Sequence, residues 1–218
     1  MLVRDVMQVK TVTIAPDTTL PEALRLTAQR GIRHLPVMES GELVGIVSDR
    51  DLKRAMASSA TSLDVHELSY LLDRLRVSEI MTRAVITIAS GFPVEEAARL
   101  MIQEKIGALP VTEGGRLVGI LTETDVLALF VRAMGAGEPS SRLDVMLGSH
   151  PAALAEVTRA LEHTGVSVSS IVTLKNREGA REAVIRIATI NPAPAIHALQ
   201  AAGYAVRNPG RDPGGATS

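Results

Sequence analysis

The chain has 218 residues, a formal net charge of -1, 46% hydrophobic residues and 22% charged ones, a balance that suits one or two globular domains with a sizeable core. Two tyrosines, two phenylalanines and no tryptophan leave an aliphatic core and no basic groove lined with stacking rings, while the absence of cysteine excludes disulfides and thiolate metal sites. No apolar run approaches a membrane span and Met1–Lys10 lacks the apolar core of a secretory signal, so the expectation is a cytoplasmic protein without nucleic-acid or membrane partners.

Sliding the sequence by 74 residues aligns Val3–Leu52 with Val77–Val126 without a gap, and 21 of these 50 positions are identical. This is an internal duplication. Each copy opens with VRDVM or VSEIM and continues into a predicted strand, Thr11–Ala15 or Val85–Ala89. A helix follows over about Leu20–Gln29 or Val94–Glu104, with Leu20, Ala23, Leu24 and Thr27 at helical spacing. Next come short strands at Ile32–Val37 and Ile106–Val111, then turns at Ser40-Gly41 and Gly114-Gly115 that fold each chain segment back as a hairpin. The returning strands, LVGIVSDRDL at Leu43–Leu52 and LVGILTETDV at Leu117–Val126, run into a closing helix. The repeat is therefore β-α-β-β-α, too small to bury both faces alone, and two copies should pack together. Domain bounds follow as 1–60 for the first repeat, 61–76 for an amphipathic connecting helix, 77–134 for the second repeat and 135–141 for a Gly/Pro linker.

The strand–helix junction carries the chemistry. Ser48 and Thr122 fall at helix N-caps, with Asp51 and Asp125 three residues on. A first helical turn offers unpaired N–H groups to a phosphate, Gly45 and Gly119 would leave it space, and a carboxylate three residues past the hydroxyl could accept both hydroxyls of a ribose. The same Ser/Thr-x-x-Asp pairs are also close to capping boxes, which need no ligand. The five histidines show no metal-ligand spacing. His34, beside Arg33 at the head of a strand, reads equally as a cleft residue or a solvated strand start.

On the lead-in V-x-[DE]-[VI]-M, the LPV strand, the G-x-[LV]-VG-I hairpin and the terminal aspartate, the first 134 residues resemble a tandem pair of cystathionine-β-synthase (CBS) domains. That resemblance implies packing about a pseudo-two-fold axis with two clefts for adenosine compounds such as AMP, ADP, ATP or S-adenosylmethionine. It puts Asp51 and Asp125 on the ribose, Ser48 and Thr122 near the phosphates, and Thr13, Ile14, Thr87, Ile88, Ile32 and Ile106 around the adenine. The repeats differ where a phosphate would be met: Arg33, His34 and Arg50 become Gly107, Ala108 and Thr124, so the clefts should be inequivalent.

The third segment, 142–207, reads β-α-β-β-α-β, the ferredoxin-like order, and resembles an ACT domain. The expected Asp-x-Pro-Gly-x-Leu is Ser149-His150-Pro151-Ala152-Ala153-Leu154 here. Ser149, Pro151 and Ala152 are the candidate amino-acid contacts, although the Cβ of Ala152 would crowd such a ligand and favours a dimerising role. The Pro/Gly-rich tail, 208–218, should be disordered. Two CBS repeats followed by an ACT domain resemble the bacterial acetoin-utilisation accessory family. The fold class is thus mixed α/β, and the function that these resemblances imply is that of a homodimeric regulator that senses an adenosine nucleotide and acts on an unidentified partner. A structural adaptor with vestigial clefts is the alternative. No nucleophile–base constellation, metal or cofactor motif marks an enzyme.

Overall fold

The computed structural model describes residues 1–59, 72, 74–137, 139–175 and 179–209. These residues divide into two units, Met1–Val126 and Leu127–Ser218.

In the first repeat a 3-10 turn, Val3–Asp5, leads to α1 (Leu20–Arg30), β1 (His34–Glu39), β2 (Glu42–Ser48) and α2 (Asp49–Ser59). The second repeat has a helical turn, α3 (Val77–Ile80), then β3 (Ile88–Ala89), α4 (Val94–Glu104), β4 (Ala108–Glu113), β5 (Arg116–Thr122) and α5 (Glu123–Ala133). Helix α1 begins at a capping box in which the Glu22 N–H donates to Thr19 Oγ1 at 3.3 Å and the Thr19 N–H donates to Glu22 Oε2 at 3.0 Å. It buries Leu20, Ala23 and Thr27, and α4 buries their counterparts Val94, Ala97 and Met101. The hairpins β1–β2 and β4–β5 turn through Ser40-Gly41 and Gly114-Gly115, all four at positive φ, which matches the twist of the flanking strands. Leu20, Leu35 and Leu52 are fully buried in the first repeat, each contributing about 1.5–3 kcal/mol.

Bridges between the repeats obey the 74-residue shift. Leu2 pairs with Pro93 and Thr19 with Arg76; Gln8 pairs with Ile120 and Thr82 with Ile46. Each repeat's lead-in therefore lies along the other repeat's hairpin, and this reciprocal exchange defines the pseudo-two-fold. It also shortens the predicted strands at Thr11–Ala15 and Val85–Ala89, which reduce to a single parallel bridge, Ile14 with Val37, and to β3 paired with β4. Their leading residues are drawn along the opposite repeat. Most of the connecting helix expected at 61–76 lies outside the described residues, but Leu72 and Leu75 pack on the first core.

The second unit consists of β6 (Ser141–Met146), α6 (Ala153–Glu162), β7 (Val168–Lys175), β8 (Arg181–Ile187), α7 (Ala193–Ala201) and β9 (Val206–Arg207). Its antiparallel sheet runs β7-β8-β6-β9, a β-α-β-β-α-β unit as the sequence pattern predicts. Alternate residues Leu143, Val145, Ile185 and Ile187 pack one sheet face against Val157, Leu161 and Leu199 of the helices. The division between units falls inside α5, upstream of 135–141; Ser170 Oγ donates to the carbonyl of Met134 at 3.1 Å and so fastens the end of that helical segment to the second unit. The tail beyond 209 lies outside the described residues. Among the described residues no helix is long and apolar enough to cross a membrane.

Candidate functional site

Both junctions form complete capping boxes. The Ser48 N–H and Oγ–H donate to Asp51 Oδ2 at 2.9 and 2.6 Å, while the Asp51 N–H donates to Ser48 Oγ at 3.3 Å. The Thr122–Asp125 pair repeats this at 2.8, 2.7 and 3.3 Å. One carboxylate oxygen of each aspartate is thus consumed by local structure. The other oxygens differ: Gln8 Nε2 donates to Asp125 Oδ1 at 2.7 Å, whereas Asp51 Oδ1 accepts no hydrogen bond among the described residues.

Each aspartate edges a cleft built by both repeats. The Asp51 cleft, about 470 Å³, is lined by Ile46, Ser48 and Arg50 of the first repeat and by Val85, Ile86 and Ile106 of the second, among others. The Asp125 cleft, about 270 Å³, takes Ile120, Thr122 and Thr124 from the second repeat and Lys10, Val12 and Ile32 from the first. Ile106 lines the Asp51 cleft and Ile32 the Asp125 cleft, each across the pseudo-two-fold from its own repeat's aspartate. Arg33 also crosses, its Nη2 donating to Thr124 Oγ1 at 2.9 Å.

Two expectations are corrected by the geometry. Ile14 and Ile88 are buried in strand pairing, and Thr13 and Thr87 are exposed outside both clefts. Residues two positions earlier supply the aliphatic walls, because that part of the lead-in runs along the opposite hairpin. The glycines do not make room for phosphate either. A Cβ on Gly45 would overlap Met81 Sδ, and one on Gly119 would stand 2.7 Å from Met7 Sδ and 3.0 Å from the Gln8 carbonyl oxygen. Each glycine admits the methionine of the other repeat's lead-in.

His34 lines both clefts and stands over Gly107, where a Cβ would come within 3.2 Å of its ring. Burial, and then the Arg33 guanidinium, hold the imidazole below its ordinary pKa against the opposing pull of Asp49, Glu123 and Asp51. The local reading missed Arg54 and Lys105, which also line the Asp51 cleft. Arg54 could have been found one helical turn beyond Arg50. In the second unit, Ser149, Pro151 and Ala152 are exposed in the β6–α6 turn, near a cluster in which Tyr204 OH donates to Glu156 Oε2 at 2.6 Å and His150 lies 3.6 Å from Glu156 Oε1. Among the described residues no group of three or more His, Cys, Asp or Glu could hold a metal ion.

The CBS domain family model matches residues 3–58 and 77–132. A CBS domain-containing protein of Dictyostelium discoideum is 37% identical over 143 residues, covering 65% of this chain and 99% of the relative. Among solved structures, the CBS domain pair of protein MJ0100, in complex with 5′-methylthioadenosine and S-adenosyl-L-methionine, is 31% identical with a TM-score of 0.51, over 60% of this chain and 95% of that one. A Vibrio cholerae protein described as a candidate acetoin utilization protein is 31% identical with a TM-score of 0.54, over 62% of this chain and 96% of that one.

Proposed function

Because the chain belongs to the CBS domain family, we propose that it is a non-catalytic cytoplasmic regulator that binds an adenosine-containing nucleotide between its repeats and passes the change to a partner protein. The observation that carries this reading is the Asp51 cleft. It sets an aliphatic slot of Ile46, Val85, Ile86 and Ile106 beside a carboxylate whose Oδ2 is anchored and whose Oδ1 accepts nothing among the described residues. An aliphatic slot takes a purine ring without aromatic stacking, an open carboxylate oxygen suits a ribose hydroxyl, and the adjacent cations suit phosphate. A ligand that touches both repeats favours the pose in which its contacts are complete, and it shifts the protein only by its difference in affinity between poses. The second unit, whose β-α-β-β-α-β order is similar to that of an ACT domain, holds two copies of the chain together in this reading and takes no amino acid.

The test is a thermal-shift titration of dialysed full-length protein with AMP, ADP, ATP and S-adenosylmethionine. At a hundred times its dissociation constant a ligand should add about 2.7 kcal/mol of stability. Asp51→Asn, which keeps a capping side chain, should abolish the shift; no shift with any of the four compounds would overturn the function.

A further inference from the structure

We propose that the two clefts are inequivalent: the Asp51 cleft is a polyphosphate site for a nucleoside di- or triphosphate, set by Arg50, Arg54 and Lys105, and the Asp125 cleft is not. This deepens the reading above and rests on it. The 74-residue shift makes the comparison internal to the molecule. Arg50, Arg54 and Lys105 line the Asp51 cleft; their counterparts Thr124, Ala128 and Gly31 carry no charge. None of the three cations makes a side-chain hydrogen bond or ion pair among the described residues. Of the carboxylates facing the same cleft, Asp49 pairs with Lys53 at 3.1 Å, Asp51 caps α2, and Glu123 lies by His34 at Gly107.

Backbone conformation singles out Lys105. After α4 the chain turns at Lys105 with φ 55°, and after α1 it turns at Gly31 with φ 62°. Glycine adopts this left-handed conformation freely, whereas a lysine there is strained. The first repeat uses the unstrained residue; the second accepts strain at a position whose side chain brings an ammonium with no partner among the described residues to a cleft. Strain held at a ligand-facing position is the pattern of a functional constraint rather than of packing.

The Asp125 cleft is committed to its own contacts. Its cations are Lys10 and Arg33; Arg33 lines both clefts and is bonded to Thr124 of this one at 2.9 Å. The carboxylate oxygen that a ribose would use accepts from Gln8 at 2.7 Å; the residue equivalent to Gln8 is Thr82, which makes no such bond to Asp51. With about 270 Å³ against about 470 Å³, it is also the smaller space.

Calorimetry on dialysed full-length protein with ATP and AMP separates the possibilities. Wild type should bind one ATP per chain, at least about tenfold more tightly than AMP. Lys105→Gly, which copies the first repeat, should weaken ATP by roughly tenfold and AMP by less than about threefold, while the nucleotide-free protein melts at the same temperature or higher. Arg54→Ala should also weaken ATP more than AMP. Equal losses for ATP and AMP, no loss, or two ATP sites of equal affinity would overturn the assignment and leave the sensing function standing. Wild type that binds AMP as well as ATP overturns the assignment alone; wild type that binds neither overturns both.

Discussion

His34 stands where the two clefts share a wall. Burial and then Arg33 hold its pKa below the ordinary histidine value, so on acidification the unfolded chain takes up a proton before the folded chain does. Its contribution to stability is therefore complete above the unfolded value, about 6.5, and is lost as pH falls through the folded value. Nucleotide-free melts from about pH 8 to 5 should show this decline, and His34→Gln should flatten it. Glu22, held low by its hydrogen bonds from Thr19, loses its own contribution only in the more acidic carboxylate range and does not confuse the reading. A phosphate in the cleft acts the other way on the same ring: it favours the imidazolium, so binding takes up a proton and nucleotide affinity should rise as the pH falls from about 7.5 to 6. Affinity independent of pH in the wild type would place the phosphates away from His34. Arg33, Asp49, Asp51 and Glu123 act on the same ring, so the His34→Gln comparison is what identifies the titrating group.

Among the elements, the exchanged lead-ins hold the repeats together. Met81 fills the space over Gly45 and Met7 the space over Gly119, so a methyl group at either glycine overpacks the joint, at about 1–3 kcal/mol. The two sites should differ in their remedy. At Gly45 all the nearest atoms belong to the Met81 side chain, so Met81→Ala should rescue much of the loss in Gly45→Ala; at Gly119 the Gln8 carbonyl stands 3.0 Å away, so Met7→Ala should rescue Gly119→Ala only partly. Urea unfolding of the single and double variants measures both couplings, and equal rescue would refute the difference. This joint explains what was legible in the sequence and what was not. Helices α1 and α4, both hairpins and both capping boxes follow from patterns within a dozen residues, and the duplication reinforces each pattern. The purpose of Gly45 does not, because a glycine three residues before a helix cap looks the same whether phosphate or a distant methionine fills its space. The mislaid adenine walls have the same origin: Thr11–Ala15 alternates like a strand, but where it leaves its own sheet is decided by the opposite repeat.

At the scale of the whole molecule, the β-α-β-β-α-β pattern of the second unit was readable from its alternating strands, whereas the sheet order β7-β8-β6-β9 comes only from long-range register. The surfaces left over have a common character. On α5, Leu127, Phe130 and Val131 are 63%, 59% and 50% exposed at i, i+3 and i+4, an apolar stripe on a helix that buries none of its residues. Strand β7 ends the sheet with eight residues, only one of them charged, and leaves Leu174 53% exposed, an edge with little to discourage pairing. A second copy of the chain can cover an apolar stripe through a two-fold axis, since the same patch then serves both partners. Light scattering across a range of concentrations should therefore give at least twice the chain mass. Phe130→Glu combined with Leu127→Glu, both on exposed positions and so tolerable to the fold, should shift the equilibrium towards the single chain. A dimer that survives these substitutions but dissociates on Leu174→Lys would move the interface to the edge of the sheet; a single-chain mass at every concentration, with and without nucleotide, would refute self-association altogether.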